Sequence, residues 1–216
     1  MLNYELFIFD WDGTLMNTTQ TIVDATTHAC RELNLNVVSD AAAKSIIGKS
    51  FLEVIADIVP ELRGNPALLQ KFTYIYEKYL NDHTLDNPLF NHVPEMLEKL
   101  TAHNKVLAIA TGRSRVMLDD ILNGTGLGKY FMITKTADEC FSKPHPQMIE
   151  EILEFTGIDH SKALMIGDTS HDVHMAHNAG VDVVAVSHGA QDRHELEACN
   201  PHHLLNNISE LFALLV

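Results

Sequence analysis

The chain has 216 residues, of which 46% are hydrophobic, so it can bury a sizeable core and disorder is not predicted. It carries 15 lysine and arginine residues against 29 aspartate and glutamate residues. The resulting formal charge of −14 argues against a nucleic-acid partner or an anionic membrane, because either would repel the chain. An anionic ligand would have to be attracted locally, by a metal ion, a lysine or backbone amides.

Three cysteines, Cys30, Cys140 and Cys199, have no CxxC spacing and cannot all pair within one chain. They are interpreted as small buried apolar residues in a reducing compartment. The first residues lack a basic start, and no apolar run approaches the length that spans a bilayer. These features predict a cytoplasmic protein without a signal peptide or membrane segment.

The first strong structural signal is a buried strand that runs directly into polar residues. Leu6 to Phe9 form a continuous apolar run, as expected for a central parallel strand that is covered on both faces. Asp10 and Asp12 follow two residues apart, so their side chains leave an extended chain on the same side. Gly13 permits a sharp turn, and Thr14 adds a hydroxyl. Burying two carboxylates is costly unless a cation or a reaction uses them.

Helical periodicity replaces the strand pattern after Leu15 and continues for roughly sixty residues without a convincing strand. Helices are predicted at about 19–33, 40–47, 50–59 and 66–81, with Thr18 or Thr19 and then Ser39 as N-caps, and with Gly48 and Pro60 as stops. Such a block predicts a helical cap at residues 16–85, with a core formed by residues 1–15 and 86–216.

Strands and helices alternate in the remainder of the chain. Strands are predicted at 106–110, 131–134, 163–166 and 183–186, and the last of these is predicted to be the last strand of the sheet. Helices are predicted at 94–103 and 114–122. Three more are predicted to begin at Pro146, after Asp168 (ending at 179) and at about Ile208. This alternation predicts an α/β fold, a Rossmann-like parallel sheet core in a three-layer α/β/α arrangement, with the inserted α-helical cap.

Polar side chains stand where the predicted strands end. Asp10 and Asp12 follow the first strand, Thr111 and Gly112 the second, Lys143 lies beyond the third, and Gly167 and Asp168 follow the fourth. Because parallel strands end at one edge of a sheet, where ligands bind in open α/β folds, these residues are expected to meet there.

These groups closely resemble the four motifs of the haloacid dehalogenase-like hydrolase superfamily, in the same order. The motifs are Asp10-x-Asp12-Gly13-Thr14, then Thr111, then Lys143 in a Lys-Pro-x-Pro setting, then Gly167-Asp168-x-x-x-Asp172. The resemblance covers nearly the whole chain. The helical block after the first motif is similar to the helical-cap subclass, which includes phosphoglycolate phosphatases.

The resemblance implies a role for each motif residue. Asp10 would be the nucleophile that forms an aspartyl-phosphate, and Asp12 the general acid and then the general base. Thr111 and the Gly112 amide would bind the phosphoryl oxygens. Lys143 would neutralise both Asp10 and the phosphate.

The resemblance also implies Mg²⁺, held by Asp10, Asp168 and the main-chain carbonyl of Asp12, with Asp172 orienting the surrounding shell. A Mg²⁺-dependent phosphatase acting on a small phosphorylated metabolite is therefore expected. No nucleic-acid or membrane partner is predicted, and the protein is expected to be a monomer or a homodimer.

Two other functions are compatible with the motifs. A phosphomutase similar to β-phosphoglucomutase would use the same nucleophile but pass the phosphoryl group to a sugar hydroxyl. A non-catalytic binding protein on this fold would be expected to lack motif carboxylates, and none is missing. Asp12 favours phosphoryl transfer over dehalogenation, which needs no acid for the leaving group.

Residues outside the motifs give weaker signals. Lys49, in the turn that ends the second cap helix, is a candidate specificity residue, since cap loops in this subclass close over the site. Arg113 and Arg115 are predicted to be solvent-exposed, although either could reach a substrate anion. His171, His174 and His177 recur every third residue and are interpreted as a polar helix face rather than a zinc site.

Overall fold

The computed structural model describes residues 3–211 and contains a six-stranded parallel sheet in the order β3-β2-β1-β4-β5-β6. The strands are β1 (Leu6–Phe9), β2 (Val106–Thr111), β3 (Ile133–Thr136), β4 (Ala163–Gly167), β5 (Asp182–Val186) and β6 (His203–Leu205). The fold is therefore α/β with a Rossmann-like core, as the alternation predicts. Within residues 3–211 there is no helix with the length and apolar character needed to cross a membrane.

Strand β1 lies inside the sheet, between β2 and β4, and all four of its residues are buried. Phe7 and Phe9 belong to the hydrophobic cluster on one face of the sheet, and Leu6 and Ile8 belong to the cluster on the other face. Successive side chains of a strand point to opposite faces, so a continuous apolar run is what a strand covered on both sides requires.

Nine helices have been identified within residues 3–211. They are α1 (Thr19–Glu32), α2 (Asp40–Lys44), α3 (Phe51–Ile58), α4 (Pro66–His83), α5 (Val93–Ala102), α6 (Arg115–Thr125), α7 (Gln147–Thr156), α8 (Ser170–Asn178) and α9 (Arg193–Glu197). Helices α5 and α6 contribute to the cluster that contains Phe9, whereas α7 and α8 contribute to the cluster that contains Ile8. The sheet is thus the middle of three layers.

Helices α1 to α4 build a third hydrophobic cluster from residues such as Ile22, Ile55 and Phe72. Met117 of α6 belongs to the same cluster, so this helical insert packs directly against the sheet-bearing part of the chain. The boundaries 1–15, 16–85 and 86–216 between core and cap remain a prediction.

Two strand predictions were inaccurate. The strand predicted at 131–134 begins two residues later, at Ile133, because a short 3₁₀ helix occupies residues 128–130 and Met132 is exposed. The segment 183–186 is not the last strand of the sheet, since β6 pairs with β5 along His203–Leu205. Strand β6 has only three half-buried residues and no long apolar run, so periodicity could not reveal it.

The chain after Ile208 forms a short 3₁₀ helix to Glu210, and the rest of the helix predicted there lies outside the described residues. At the first cap, Thr18 is the residue that precedes α1, but its side chain does not bond to the helix. Its hydroxyl instead donates to Asp12, a hydrogen bond of 2.5 Å that links the start of the insert to the candidate site.

Candidate active site

The parallel register brings the predicted site residues to one edge of the sheet. Phe9 of β1 pairs with Ile109 of β2 and with Ile166 of β4, so each of these three strands ends within two residues of that level. Asp10 therefore lies near Thr111 and Asp168, which are one position further along in the register of the neighbouring strands. All three side chains are buried. Lys143, from the loop after β3, is also buried, at 2% exposure.

Asp10 is a buried carboxylate whose two oxygens accept no hydrogen bond from the described residues. Lys143 Nζ lies 2.9 Å from its Oδ1, which makes an ion pair without hydrogen-bond geometry. Burial raises the pKa of Asp10 to about 7, an effect that Lys143 partly offsets and that the neighbouring carboxylates of Asp172 and Asp12 increase. Asp10 is thus ready to accept a cation or to react.

Lys143 lies between two carboxylates. Its Nζ is 2.7 Å from Asp172 Oδ1 as well as 2.9 Å from Asp10 Oδ1. Burial by itself lowers the pKa of Lys143, but the two negative charges more than offset this effect and the net pKa is raised. The ammonium group therefore stays charged and offers one positive charge to whatever binds beside Asp10.

Asp168 is held in position by contacts from three segments of the chain. Its Oδ1 accepts a hydrogen bond of 2.8 Å from the Thr14 hydroxyl, and its Oδ2 accepts one of 2.7 Å from the Ala190 amide. A Cβ atom at Gly13 or at Gly189 would lie 2.1 Å from Oδ2, so both positions need glycine. Burial, followed by the charges of Asp10 and Asp172, raises the pKa of Asp168 well above its usual range.

Asp172 connects Lys143 to the start of helix α8. Its Oδ2 accepts hydrogen bonds from the Thr169 amide, at 3.0 Å, and from the Thr169 hydroxyl, at 2.8 Å, which forms part of a capping box. Its Oδ1 binds Lys143. Both oxygens therefore have partners, and the ion pair with Asp172 holds Lys143 beside Asp10.

The three carboxylates of Asp10, Asp168 and Asp172 could hold a metal ion, because one oxygen of each lies within 4.8 Å of the others. The donor set consists of oxygen only, which suits a hard cation such as Mg²⁺. Asp10 is the best placed of the three, since both of its buried oxygens lack a hydrogen bond within the described residues. The side chain of Asp12 is not part of this group, and the role of its main-chain carbonyl as a metal ligand stays a prediction.

Asp12 forms an ion pair with Arg113, a contact that the sequence pattern does not predict. Arg113 Nε donates to Asp12 Oδ2 at 2.8 Å, and Nη2 donates to Oδ1 at 2.6 Å, forming a two-pronged ion pair. Arg113 is only 5% exposed, so the prediction that it faces solvent was wrong. Local pattern carried no signal for this contact, because Arg113 lies in a bend after the end of β2 and Asp12 is far away in the chain.

Arg115, in contrast, is partly exposed and lies outside the site. Its guanidinium binds Glu139, Asp119 and Thr134. The two arginines therefore have different environments, although only one residue separates them.

Residues 47–50, which we call the insert loop, lie against the end of β2. A Cβ atom at Gly112 would lie 2.6 Å from the main-chain oxygen of Lys49, so the glycine permits the two backbones to touch. The Ser50 amide donates to the Ser142 hydroxyl at 2.7 Å, next to Lys143. The half-buried side chain of Lys49 contributes to a cavity of about 170 Å³ that also reaches Asp12 and Gly112.

Two contributors to the site were missed from the sequence. Gly189 and the Ala190 amide position Asp168, and they lie in the loop after β5, which ends at Val186. Their signal was available: a glycine at the carboxyl end of a predicted parallel strand lies at the ligand-binding edge and permits close approach.

Comparison with known proteins agrees with this geometry. The family model described as haloacid dehalogenase-like hydrolase matches residues 7–186. A relative from Dickeya dadantii named probable phosphatase IndB is 32% identical over 211 residues, which cover 95% of this chain and 91% of that protein. The pyrophosphatase PpaX of Bacillus cereus is 28% identical over 211 residues, covering 96% of this chain and 94% of that protein.

Solved structures show the same fold. A crystal structure of a predicted phosphoglycolate phosphatase from Haemophilus somnus superimposes with a TM-score of 0.89 at 22% identity and covers 100% of both chains. One of a predicted phosphatase from Clostridium acetobutylicum has a TM-score of 0.84 at 20% identity and covers 98% of each chain. With the family match extending over most of its length, the chain belongs to the haloacid dehalogenase-like hydrolases.

Proposed function

We propose that this protein is a Mg²⁺-dependent phosphatase that hydrolyses a small phosphorylated metabolite of the cytoplasm through an aspartyl-phosphate on Asp10. The supporting observation is the state of Asp10, a buried carboxylate with no hydrogen bond from the described residues and with Lys143 Nζ 2.9 Å away. Relatives named phosphatase and pyrophosphatase favour phosphoryl transfer over other chemistry of this family.

In the first step, an oxygen of Asp10 attacks phosphorus and the bond from phosphorus to the leaving oxygen breaks. Asp12 gives a proton to that oxygen. Thr111 and the Gly112 amide hold the phosphoryl oxygens, and Lys143 offsets their negative charge. Asp10 and Asp168 would hold Mg²⁺ with the carbonyl of Asp12, and the ion would stabilise negative charge on the transferring group.

In the second step, water attacks phosphorus, Asp12 takes its proton, and the bond to Asp10 breaks to release phosphate. Asp172 acts through Lys143, which it holds 2.7 Å away. The helical insert covers the edge of the sheet and excludes bulk water from the phosphoryl group, which also limits the substrate to a small molecule.

The experiment is phosphate release from a panel of small phosphate esters, measured with Mg²⁺ and with EDTA. Wild type is compared with Asp10→Asn and with Asp24→Asn, which alters an exposed aspartate of α1. Release that needs Mg²⁺, that Asp10→Asn abolishes and that Asp24→Asn retains supports the proposal. Transfer to a sugar hydroxyl in place of water would identify a phosphomutase, and no turnover by a folded wild type would refute both.

A further inference from the structure

A cavity of about 170 Å³ lies between the helical insert and the end of β2. Asp12 and Gly112 form part of its wall, so under the proposed function the leaving group would enter this space. This is many times the roughly 10–15 Å³ of such space that one water molecule needs, so the cavity has room for a small organic leaving group.

Most of the cavity wall is apolar. Side chains of both the insert and the core contribute to it: Ile22, Ile46, Ile47, Phe51, Leu80 and Met117. Phe51 also stacks on Tyr76, another residue of the wall, with the ring centroids 3.9 Å apart. Such a wall favours a leaving group with an apolar body.

Arg113 is the strongest polar group in this wall. Its Nε and Nη2 are used by Asp12, but Nη1 is buried and has no hydrogen-bond partner within residues 3–211. A buried donor without a partner is costly, and an acceptor on a ligand in the cavity would remove that cost. Arg113 is therefore placed to recognise an oxygen atom of the leaving group.

The charges around the cavity disfavour an anionic leaving group. Asp12 already matches the charge of Arg113, and Glu77 and Asp138 add two carboxylates to the wall. Lys49 is the other cation of the wall, and its charge acts on His171, which lies on the phosphoryl side near Lys143. The three carboxylates of the described wall outnumber its two cations, so the cavity favours an uncharged leaving group over an anionic one.

We infer that Arg113 is a specificity residue that donates a hydrogen bond through Nη1 to an uncharged oxygen of the leaving group. The preferred substrates are monoesters of small, partly apolar alcohols that carry one such acceptor, an inference that rests on the proposed phosphatase function. Esters whose leaving group carries a carboxylate or a second phosphate are poorer substrates, since they bring a negative charge beside Asp12 and Glu77.

Two matched substrate pairs test this preference in the wild-type enzyme with Mg²⁺. Tetrahydropyranylmethyl phosphate and cyclohexylmethyl phosphate have the same shape and differ in one ring oxygen. Glycolamide phosphate and phosphoglycolate have the same size and differ in the charge of the leaving group. We expect kcat/KM to be about tenfold higher or more for the ring ether, the effect of one hydrogen bond to a charged donor. It should also be higher for the amide than for phosphoglycolate, because the amide brings no negative charge beside Asp12 and Glu77.

The variant Arg113→Lys keeps the positive charge but removes the planar group that binds Asp12 and the acceptor together. Both ring substrates should become slower because Asp12 loses support, whereas their ratio should fall from about tenfold to about one. Arg115→Lys is the matched control, because Arg115 binds Glu139 and Thr134 away from the cavity, and it should retain the wild-type ratio.

The outcomes separate this inference from the proposed function. If kcat/KM is higher for phosphoglycolate than for glycolamide phosphate, the inference is overturned while the phosphatase function stands. A wild-type ring-ether ratio of about one, or a ratio that Arg113→Lys leaves unchanged, would also overturn it. If the wild type hydrolyses none of the four esters, nor p-nitrophenyl phosphate, the proposed function fails and the inference with it.

Discussion

Replacing Asp10 with asparagine is expected to stabilise the metal-free protein, and to do so more at alkaline than at acidic pH. Burial raises the pKa of Asp10 from 3.8 to about 7 in the folded protein. Below about pH 4 the carboxyl is protonated in both the folded and the unfolded chain, so it has no effect on stability there. Between about pH 4 and 7 only the folded chain retains the proton, so stability falls as the pH rises.

The size of the effect follows from the shift. Three pKa units at about 1.4 kcal/mol each give a penalty of about 4 kcal/mol once Asp10 is fully ionised, an upper value because neighbouring carboxylates share it. Part of this penalty is already present at about pH 5, so the advantage of Asp10→Asn should grow by about 2–3 kcal/mol between about pH 5 and 8. Asparagine removes the charge but retains the shape of the side chain.

The assay is urea unfolding in EDTA at both pH values for wild type, Asp10→Asn and the control Asp24→Asn. The quantity of interest is the difference in the free energy of unfolding between variant and wild type, since other groups that titrate are common to all three proteins. A difference that is the same at both pH values, or that shrinks at alkaline pH, would refute the account of Asp10 as a desolvated carboxylate.

Three other changes have defined outcomes. Gly189→Ala places a Cβ atom 2.1 Å from Asp168 Oδ2 and should lower the free energy of unfolding by about 1–3 kcal/mol and kcat by about a hundredfold. Gly128→Ala is the control, because its Cβ atom would make only ordinary contacts, and it should change neither quantity. Equal effects of the two changes in thermal unfolding and turnover would contradict this. Lys49→Ala should raise KM about threefold to tenfold with little change in kcat, because it removes a half-buried cation near the phosphoryl side; unchanged constants would remove its role. Mg²⁺ should raise the melting temperature of wild type at about pH 8 but not that of Asp10→Asn, and equal shifts would place the ion elsewhere.

Local pattern was sufficient for most of the fold. The apolar run Leu6–Phe9 is buried on both sides in β1, and the strand and helix periods elsewhere placed most elements within a few residues. Strand β6 escaped because three half-buried residues at the sheet edge carry no clear period. Its assignment depends on pairing with β5, which brings together residues about twenty positions apart.

Arg113 shows where local pattern was insufficient. An arginine after a strand is usually solvated, and only the packing of the insert over the end of β2 makes it 5% exposed. Once water is excluded there, the guanidinium needs a carboxylate, and Asp12, far away in the chain, supplies it. The same applies to Asp172, whose bond to Lys143 depends on how α8 packs beside the loop after β3.

By itself the sequence determined which residues are candidates. Asp10, Thr111, Lys143 and Asp168 follow predicted strands, and parallel strands must end at one edge of their sheet. The tertiary structure decided which of these side chains touch, which lose water, and which acquire partners such as Arg113 and Ala190. The reason is physical: a strand or helix period depends on neighbours in the chain, whereas burial and ion pairing depend on distances that exist only after distant segments have packed together.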